Sequence, residues 1–139
     1  MTRVLATGTF DLLHPGHLLY LTEARKLGDE LYVIVARESM IQHKPKPVIP
    51  EEQRVTMVGS LEMVDEAILG SEIDIYEPIK DIEPDIIAIG YDQKFDIEKI
   101  EKRLKELGIN AKVVRINKSS NCQLCSSGKI IDKILDRYS

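Results

Sequence analysis

Short apolar runs rich in β-branched residues alternate along this chain with segments whose apolar residues recur at helical spacing, and this alternation constrains the fold more than any other feature. A nearly continuous apolar run, such as the one at 31–36, is typical of a strand that is covered on both faces. Strands that alternate with helices in this way form a parallel sheet. The pattern therefore predicts an α/β fold in which a parallel sheet of about five strands is covered by helices on both faces.

The predicted strands lie at residues 3–7, 31–36, 66–69, 85–90 and 111–116, and we expect the strand at 31–36 near the middle of the sheet. Helices are predicted at 16–27, from Pro50 onward, at 97–107 with Asp96 as the cap, and from Ser126 or Ser127 to about 137. The last helix is expected to turn Ile130, Ile134 and Leu135 inward. Residues 43–50 contain three prolines and two lysines and are predicted to form an ordered loop.

Length and composition narrow the class of protein. A chain of 139 residues suffices for one domain, spanning 1–139, with a single core. Its apolar runs are far shorter than the roughly 18 residues that a spanning helix needs, and its first residues lack the apolar core of a signal peptide. We therefore expect a cytoplasmic protein that does not associate with membranes. A net charge of −4 disfavours nucleic acid as a partner but allows a small anionic ligand.

The loop after the first strand carries the residues of greatest chemical interest. Ligands of parallel sheets bind at the carboxyl ends of the strands, where helix N-termini present N–H groups to anions. The loop contains Gly8 and Asp11, followed by His14, Gly16 and His17 at the start of a helix. A bare pair of histidines at this spacing is usually structural, but the preceding strand and glycines favour a shared phosphate ligand. The chain has neither a P-loop nor a dinucleotide-binding glycine motif.

The segments Gly8-Thr9-Phe10-Asp11 and His14-Pro15-Gly16-His17 resemble the H-x-G-H signature of the cytidylyltransferase-like nucleotidyltransferase superfamily. The resemblance continues through residues 24–29, 52–54 and 90–92. It implies a Rossmann-like fold and a direct attack by an acceptor phosphate on the α-phosphorus of a nucleoside triphosphate. It also implies a homodimer, and it places His14 and His17 against the triphosphate.

The resemblance assigns further residues to the site. Lys44 and Lys46 would be catalytic cations over the triphosphate, although a solvated basic loop is the alternative for each. Arg54 would reach the acceptor or the triphosphate. The remaining nucleotide-binding candidates are Thr7, Gly8, Thr9, Phe10, Asp11, Gly16, Gly90, Asp92, Ser126 and Ser127. Mg²⁺ or another divalent cation is expected with ATP, and Asp11 either serves it through water or holds a histidine. Asp92 has the alternative of a turn residue.

The pattern departs from the cytidylyltransferases before the last helix. Their R-T-x-G-I-S-T-T segment is replaced here by a longer run from Arg115 to Lys129, in which the serine cap survives and the arginine does not align. Arg115 or Lys118 is the hypothetical replacement for the guanidinium. This end resembles the archaeal FAD synthases, which implies transfer of AMP from ATP to FMN. The alternative is a glycerol-3-phosphate cytidylyltransferase with CTP as donor.

The same segment contains Cys122 and Cys125. Thiols that precede a helix N-terminus have a lowered pKa and oxidise readily, so we expect a redox-sensitive pair. Half of a zinc site, completed by His43 or a partner chain, is a weaker alternative. Two functions of other classes also stay open: a nucleotide sensor without catalysis, and a C-x-x-C redox or metal protein. The presence of both histidines favours the enzyme.

Overall fold

A computed structural model describes residues 1–42, 45–91 and 93–139. The elements follow the predicted alternation in the order β1 (Arg3–Gly8), α1 (Pro15–Arg25), β2 (Glu30–Val35), a short 3₁₀ helix (Glu38–Met40), α2 (Glu51–Gly59), β3 (Glu66–Leu69), α3 (Glu77–Ile82), β4 (Ile86–Ile89), α4 (Ile97–Glu106), β5 (Lys112–Arg115) and α5 (Ser127–Tyr138). The strands form one parallel sheet in the order β3-β2-β1-β4-β5. The predicted α/β class and parallel sheet are confirmed.

The core lies on both faces of the sheet, as the apolar strands predict. Val4, Leu5 and Ala6 of β1 are completely buried, which makes β1 the centre of the fold. Val4 and Ala6 belong to a core that includes Leu21 of α1. Leu5 belongs to the core on the opposite face, with residues of α3, β4 and α4. The expected position of the second strand also holds, because β2 pairs with β1 along its length.

The topology creates a crevice at one edge of the sheet. The chain leaves β1 toward β2 on one side and returns from β3 to β4 on the other side of β1. The loops that follow β1 and β4 therefore diverge at the carboxyl ends of these neighbouring strands. In open α/β sheets such a reversal of strand order is where ligands bind.

Two parts of the structure differ from the prediction. Helix α3 was not predicted because its six residues begin with Glu77-Pro78 and have no side-chain cap. The predicted inward face of α5 is wrong for Ile134 and Leu135, which are 48% and 60% exposed, whereas Ile130 is partly buried; none of the residues of α5 is fully buried. The helical spacing was correct, but only the first turns of α5 border the crevice, and its later apolar residues are not covered by the described part of the chain. Among the described residues, no helix has the length and apolar character needed to span a bilayer.

Candidate active site

The two histidines are fixed by the start of helix α1. His14 is the N-cap, and its Nδ1 accepts a hydrogen bond from the Gly16 amide at 3.1 Å. His17 returns the contact, since its Nδ1 accepts from the His14 amide at 3.3 Å. The rings stack with their centroids 3.8 Å apart. An Nδ1 that accepts a hydrogen bond carries no proton, so in each neutral ring Nε2 is the N–H donor. The local fold therefore sets the same tautomer in both imidazoles.

Close packing explains the glycines of this loop. A Cβ on Gly16 would lie 2.8 Å from the His14 ring and 3.2 Å from the Cys125 carbonyl oxygen, and one on Gly8 would lie 2.9 Å from the Phe10 ring. Phe10 and Leu12 adopt φ values of 56° and 50°, a region that residues with a side chain rarely occupy. Backbone strain of this kind concentrates at functional sites, where the surrounding structure holds it in place.

The ends of β1 and β4 are tied together by two side chains that were not predicted. The Tyr20 hydroxyl donates to the Ala88 carbonyl at 2.7 Å and accepts from the Thr7 amide at 3.2 Å. Gln93 accepts from the Gly90 amide at 2.6 Å and donates to the Thr7 carbonyl at 3.3 Å. Tyr20 follows His17 by three residues and so shares its helix face, which was a usable signal. Gln93 had no signal beyond its place after a strand.

These elements surround a cleft of about 510 Å³. It brings together most of the residues predicted for the site, namely Thr7, Gly8, Thr9, Phe10, Asp11, His14, Gly16, His17, Lys46, Gly90, Lys118, Ser126 and Ser127. Tyr20, Tyr91, Gln93 and Ile131 also line it. Arg54, Arg115 and Cys122 do not belong to its lining. Lys44 and Asp92, predicted for the same site, and His43 lie outside the described residues.

Lys46 and Lys118 are the two lysines among the described lining residues. The Lys46 ammonium donates to the carbonyl oxygens of Glu38 and Ile41, each at 2.8 Å. The Lys118 ammonium lies 3.4 Å from the Glu23 carboxylate, and its side chain is 66% exposed. Hydrogen bonds from Lys26 and Lys118 lower the pKa of Glu23. Both lysines thus line the cleft, and the charge of Lys118 is partly offset by the Glu23 carboxylate.

The two predicted arginines bind backbone carbonyls. Arg54 is 1% exposed and donates to the carbonyls of Thr9, Ala36 and Ile49. Burial lowers the pKa of its guanidinium, although the carboxylates of Asp11 and Glu51 oppose that effect. Arg115 donates to three carbonyls of the loop after β4, those of Gly90, Gln93 and Phe95. In this arrangement each guanidinium holds a loop beside the cleft.

Helix α5 begins at the cleft, beside the loop that follows β1. Ser126 is its N-cap and accepts from the Lys129 amide at 3.1 Å. The Ser127 hydroxyl donates to the backbone carbonyl of Asp11. The amino ends of α1 and α5 therefore both border the cleft, and helix amino ends favour anions.

Cys122 and Cys125 form a disulfide, with their Cα atoms 5.3 Å apart. Cys125 lines the cleft, and its sulfur lies 3.1 Å from the Ser120 hydroxyl. A disulfide supplies no thiolate to a metal, so the zinc alternative does not hold in this state. The described residues contain no group of three or more histidine, cysteine or acidic side chains arranged to hold a metal ion.

A family model, sequence relatives and solved structures each match most of this chain. A family model described as cytidylyltransferase-like matches residues 5–133. The chain is 80% identical to the FAD synthase of Methanohalobium evestigatum over 99% of its own length and 92% of that protein. It is 62% identical to the FAD synthase of Methanosarcina acetivorans, over 99% and 91% of the two chains. Among solved structures, the lipopolysaccharide core biosynthesis protein of Thermoplasma volcanium aligns with a TM-score of 0.83 at 46% identity, over 87% of this chain and 99% of that one.

Proposed function

The chain belongs to the cytidylyltransferase-like family, and on this premise we propose that it transfers AMP from ATP to FMN, producing FAD and pyrophosphate. The observation that carries the proposal is the near full-length identity of 80% to a protein named FAD synthase. The cleft supports it, because two histidines and two helix amino ends converge where phosphates would lie. A glycerol-3-phosphate cytidylyltransferase and a sensor without catalysis are not favoured.

In the proposed reaction a phosphate oxygen of FMN attacks the α-phosphorus of ATP in line with the bond to the departing pyrophosphate. One P–O bond forms and one breaks, and no protein nucleophile takes part. Such a transfer depends on positioning and on stabilisation of spreading negative charge. We assign these tasks to the Nε2 donors of His14 and His17, which the Nδ1 contacts orient.

Lys46 is the proposed mobile cation. Its ammonium donates to two neutral carbonyls, which it can exchange for phosphate oxygens without separating an ion pair. Lys44 belongs to the same predicted role. Lys118 is the proposed acceptor contact, since it lines the cleft with an exposed side chain. The proposed nucleotide site is completed by the amino end of α5 and by the backbone at Thr7, Gly8, Thr9 and Gly90.

We expect a divalent cation, Mg²⁺ in the first instance, to accompany ATP. Such a cation would take its ligands largely from the triphosphate, since Mg²⁺ in nucleotide sites is usually bound through substrate phosphates and few protein carboxylates. The cation would neutralise phosphate charge. Asp11, the acidic residue expected to serve it through water, accepts hydrogen bonds from backbone amides with both carboxylate oxygens. A cytoplasmic location and a homodimer, both expected from the sequence, belong to the same proposal. The exposed apolar residues of α5 provide a surface that a second copy would cover.

The disulfide at the edge of the cleft extends the proposal to redox sensitivity. Cys125 lines the cleft one residue before the N-cap of α5, and its carbonyl lies against Gly16. Reduction of the Cys122–Cys125 disulfide to two thiols, or its re-formation by an oxidant, therefore changes the constraint on the segment that presents Ser126 and Ser127. We propose that turnover depends on the state of this pair.

The decisive experiment is an incubation with Mg²⁺, either ATP or CTP, and either FMN or glycerol 3-phosphate. Products are separated by chromatography, and pyrophosphate is measured. Of the four combinations of donor and acceptor, we expect only ATP with FMN to form product, namely FAD and pyrophosphate. CDP-glycerol would identify the cytidylyltransferase instead, and tight ATP binding without pyrophosphate release under oxidising and reducing conditions would identify a sensor.

A further inference from the structure

The segment 45–50, which carries Lys46 into the cleft, has few means of holding its own shape. It reads Pro45-Lys46-Pro47-Val48-Ile49-Pro50, so only Lys46, Val48 and Ile49 have backbone N–H groups. The prolines exclude it from the sheet and from a helix interior. Apart from the bonds of the Lys46 ammonium to the Glu38 and Ile41 carbonyls, whatever fixes this segment must bind those few amides and the carbonyls between them.

Asp11 binds two of the three amides with one carboxylate. Its two oxygens accept from Val48 at 2.8 Å and from Ile49 at 2.9 Å. Asp11 belongs to the loop that ends at His14, and its own carbonyl accepts the Ser127 hydroxyl. One residue therefore joins the loop 9–14, called the histidine loop below, the segment 45–50, called the lysine segment, and the start of α5.

Arg54 makes a second connection between the same two loops. Its guanidinium donates to the Thr9 carbonyl at 2.7 Å, in the histidine loop, and to the Ile49 carbonyl at 2.9 Å, in the lysine segment. A third bond anchors it to the Ala36 carbonyl after β2. With 1% exposure, it is buried behind these loops. Its Nη2 finds no hydrogen-bond partner in the part of the chain that is described.

We propose that Asp11 and Arg54 are positioning residues that clamp the lysine segment onto the histidine loop. They hold the backbone at Lys46 beside the cleft that His14 and His17 line, and neither binds the nucleotide through its side chain. This proposal rests on the proposed transferase function. It revises the expected roles of Asp11 and Arg54 as direct contacts, because both Asp11 carboxylate oxygens and the Arg54 Nε and Nη1 atoms are engaged with backbone groups.

Pro47 extends the conformational restriction from the clamped amides to the backbone of Lys46. The clamp fixes the backbone at Val48 and Ile49, while the ring of Pro47 fixes φ of the intervening residue. Lys46 precedes Pro47 and is itself restricted to extended conformations. Few torsions stay free between the clamped amides and the Lys46 Cα atom. An error of about 1 Å in such a group costs roughly a hundredfold in rate.

Hydrogen exchange tests the clamp without reference to activity. Exchange of the segment 45–50 is compared in the wild type, Asp11→Asn and Arg54→Lys, each checked for an intact melting transition. We expect the backbone amides of this segment to exchange about tenfold faster in both variants. Each variant weakens hydrogen bonds that hold the segment in place. The matched control is the turn at 71–74, where the amides of Ile73 and Asp74 bond to the Ser71 hydroxyl and exchange should not change. Equal protection of 45–50 in all three proteins overturns the proposal.

A double-mutant cycle on kcat for FAD formation tests whether the clamp acts through Lys46. Arg54→Lys should lower kcat strongly in the wild type and by no more than about twofold in Lys46→Met, because the group being positioned is then gone. Arg115→Lys is the matched control, since Arg115 also binds three carbonyls but holds the loop after β4. Its effect should be the same in both backgrounds. Equal losses for Arg54→Lys in both backgrounds overturn the proposal, whereas a wild type that forms no FAD contradicts the proposed function and leaves the exchange test to decide the clamp.

Discussion

At the scale of single residues, each imidazole has two separable tasks. The Nδ1 atoms of His14 and His17 satisfy backbone amides at the start of α1, and the Nε2 atoms are the donors assigned to phosphate. The sequence predicted the second task from the motif and its resemblance. It did not predict the first, because a histidine N-cap is uncommon and the stacked geometry depends on the unusual backbone at Phe10 and Leu12.

Asparagine at position 14 separates the two tasks. Its side-chain oxygen can accept the Gly16 amide as Nδ1 does, but it has no donor at the position of Nε2. We expect the melting temperature of His14→Asn to lie within a few degrees of that of the wild type. Its kcat should be lower by about 10²–10³-fold. Melting curves and steady-state kinetics measure both. Wild-type kcat in this variant would remove His14 from the proposed mechanism.

A methyl group at position 16 tests the packing of the histidines. Gly16→Ala places a Cβ 2.8 Å from the His14 ring, so the ring must move and kcat should fall at least tenfold. Gly59→Ala is the control, because its Cβ would meet Ala67 at an ordinary 3.5 Å at the end of α2. That variant should keep full activity, and its free energy of unfolding should rise by up to about 1 kcal/mol. Equal kinetics for both would show that the close contact at Gly16 is unimportant.

At the scale of elements, the start of α5 combines a structural and a proposed binding role. A serine cap at Ser126 or Ser127 was predicted from sequence because serine before a helical pattern is a common N-terminus, and the structure has it at Ser126. The orientation of the rest of α5 was not predictable. An amphipathic pattern states that one face is apolar but does not say whether a neighbour covers it, and Ile134 and Leu135 are largely exposed.

Substitutions at Ser126 distinguish capping from phosphate binding. Ser126→Ala should cost about 1 kcal/mol, since the Lys129 amide loses its acceptor. Ser126→Asp should restore the cap and the stability, but its charge should raise the KM for ATP at least several-fold while changing the KM for FMN less. Urea unfolding and kinetics give the two readouts. An aspartate variant with unchanged KM for ATP would place the triphosphate away from α5.

At the scale of the whole molecule, the sheet order explains why the predicted residues converge. Residues from four parts of the sequence meet in one cleft because β1 and β4 are neighbours at the point where the strand order reverses. The family and the parallel sheet were predictable from motif and pattern. The clamp of Asp11 and Arg54 was not, because all of its hydrogen bonds except that of Arg54 to Ile49, five residues away, reach backbone atoms 18 to 45 residues away and leave no local signature.

The disulfide bears on the same cleft, because it closes a short loop in the segment after β5 and its Cys125 lines the cleft. We expect FAD formation by the wild type to differ at least several-fold between oxidant and reductant, as the constraint on the start of α5 changes. The double variant Cys122→Ser/Cys125→Ser should respond to neither reagent. A wild type with the same rate under both conditions would contradict redox control.

The most direct test of the central claim is a crystal structure with a non-hydrolysable ATP analogue and Mg²⁺. The account predicts triphosphate oxygens within about 3.2 Å of the Nε2 atoms of His14 and His17, beside the amino ends of α1 and α5. Phosphates bound outside this cleft, with both imidazoles out of reach, would contradict it.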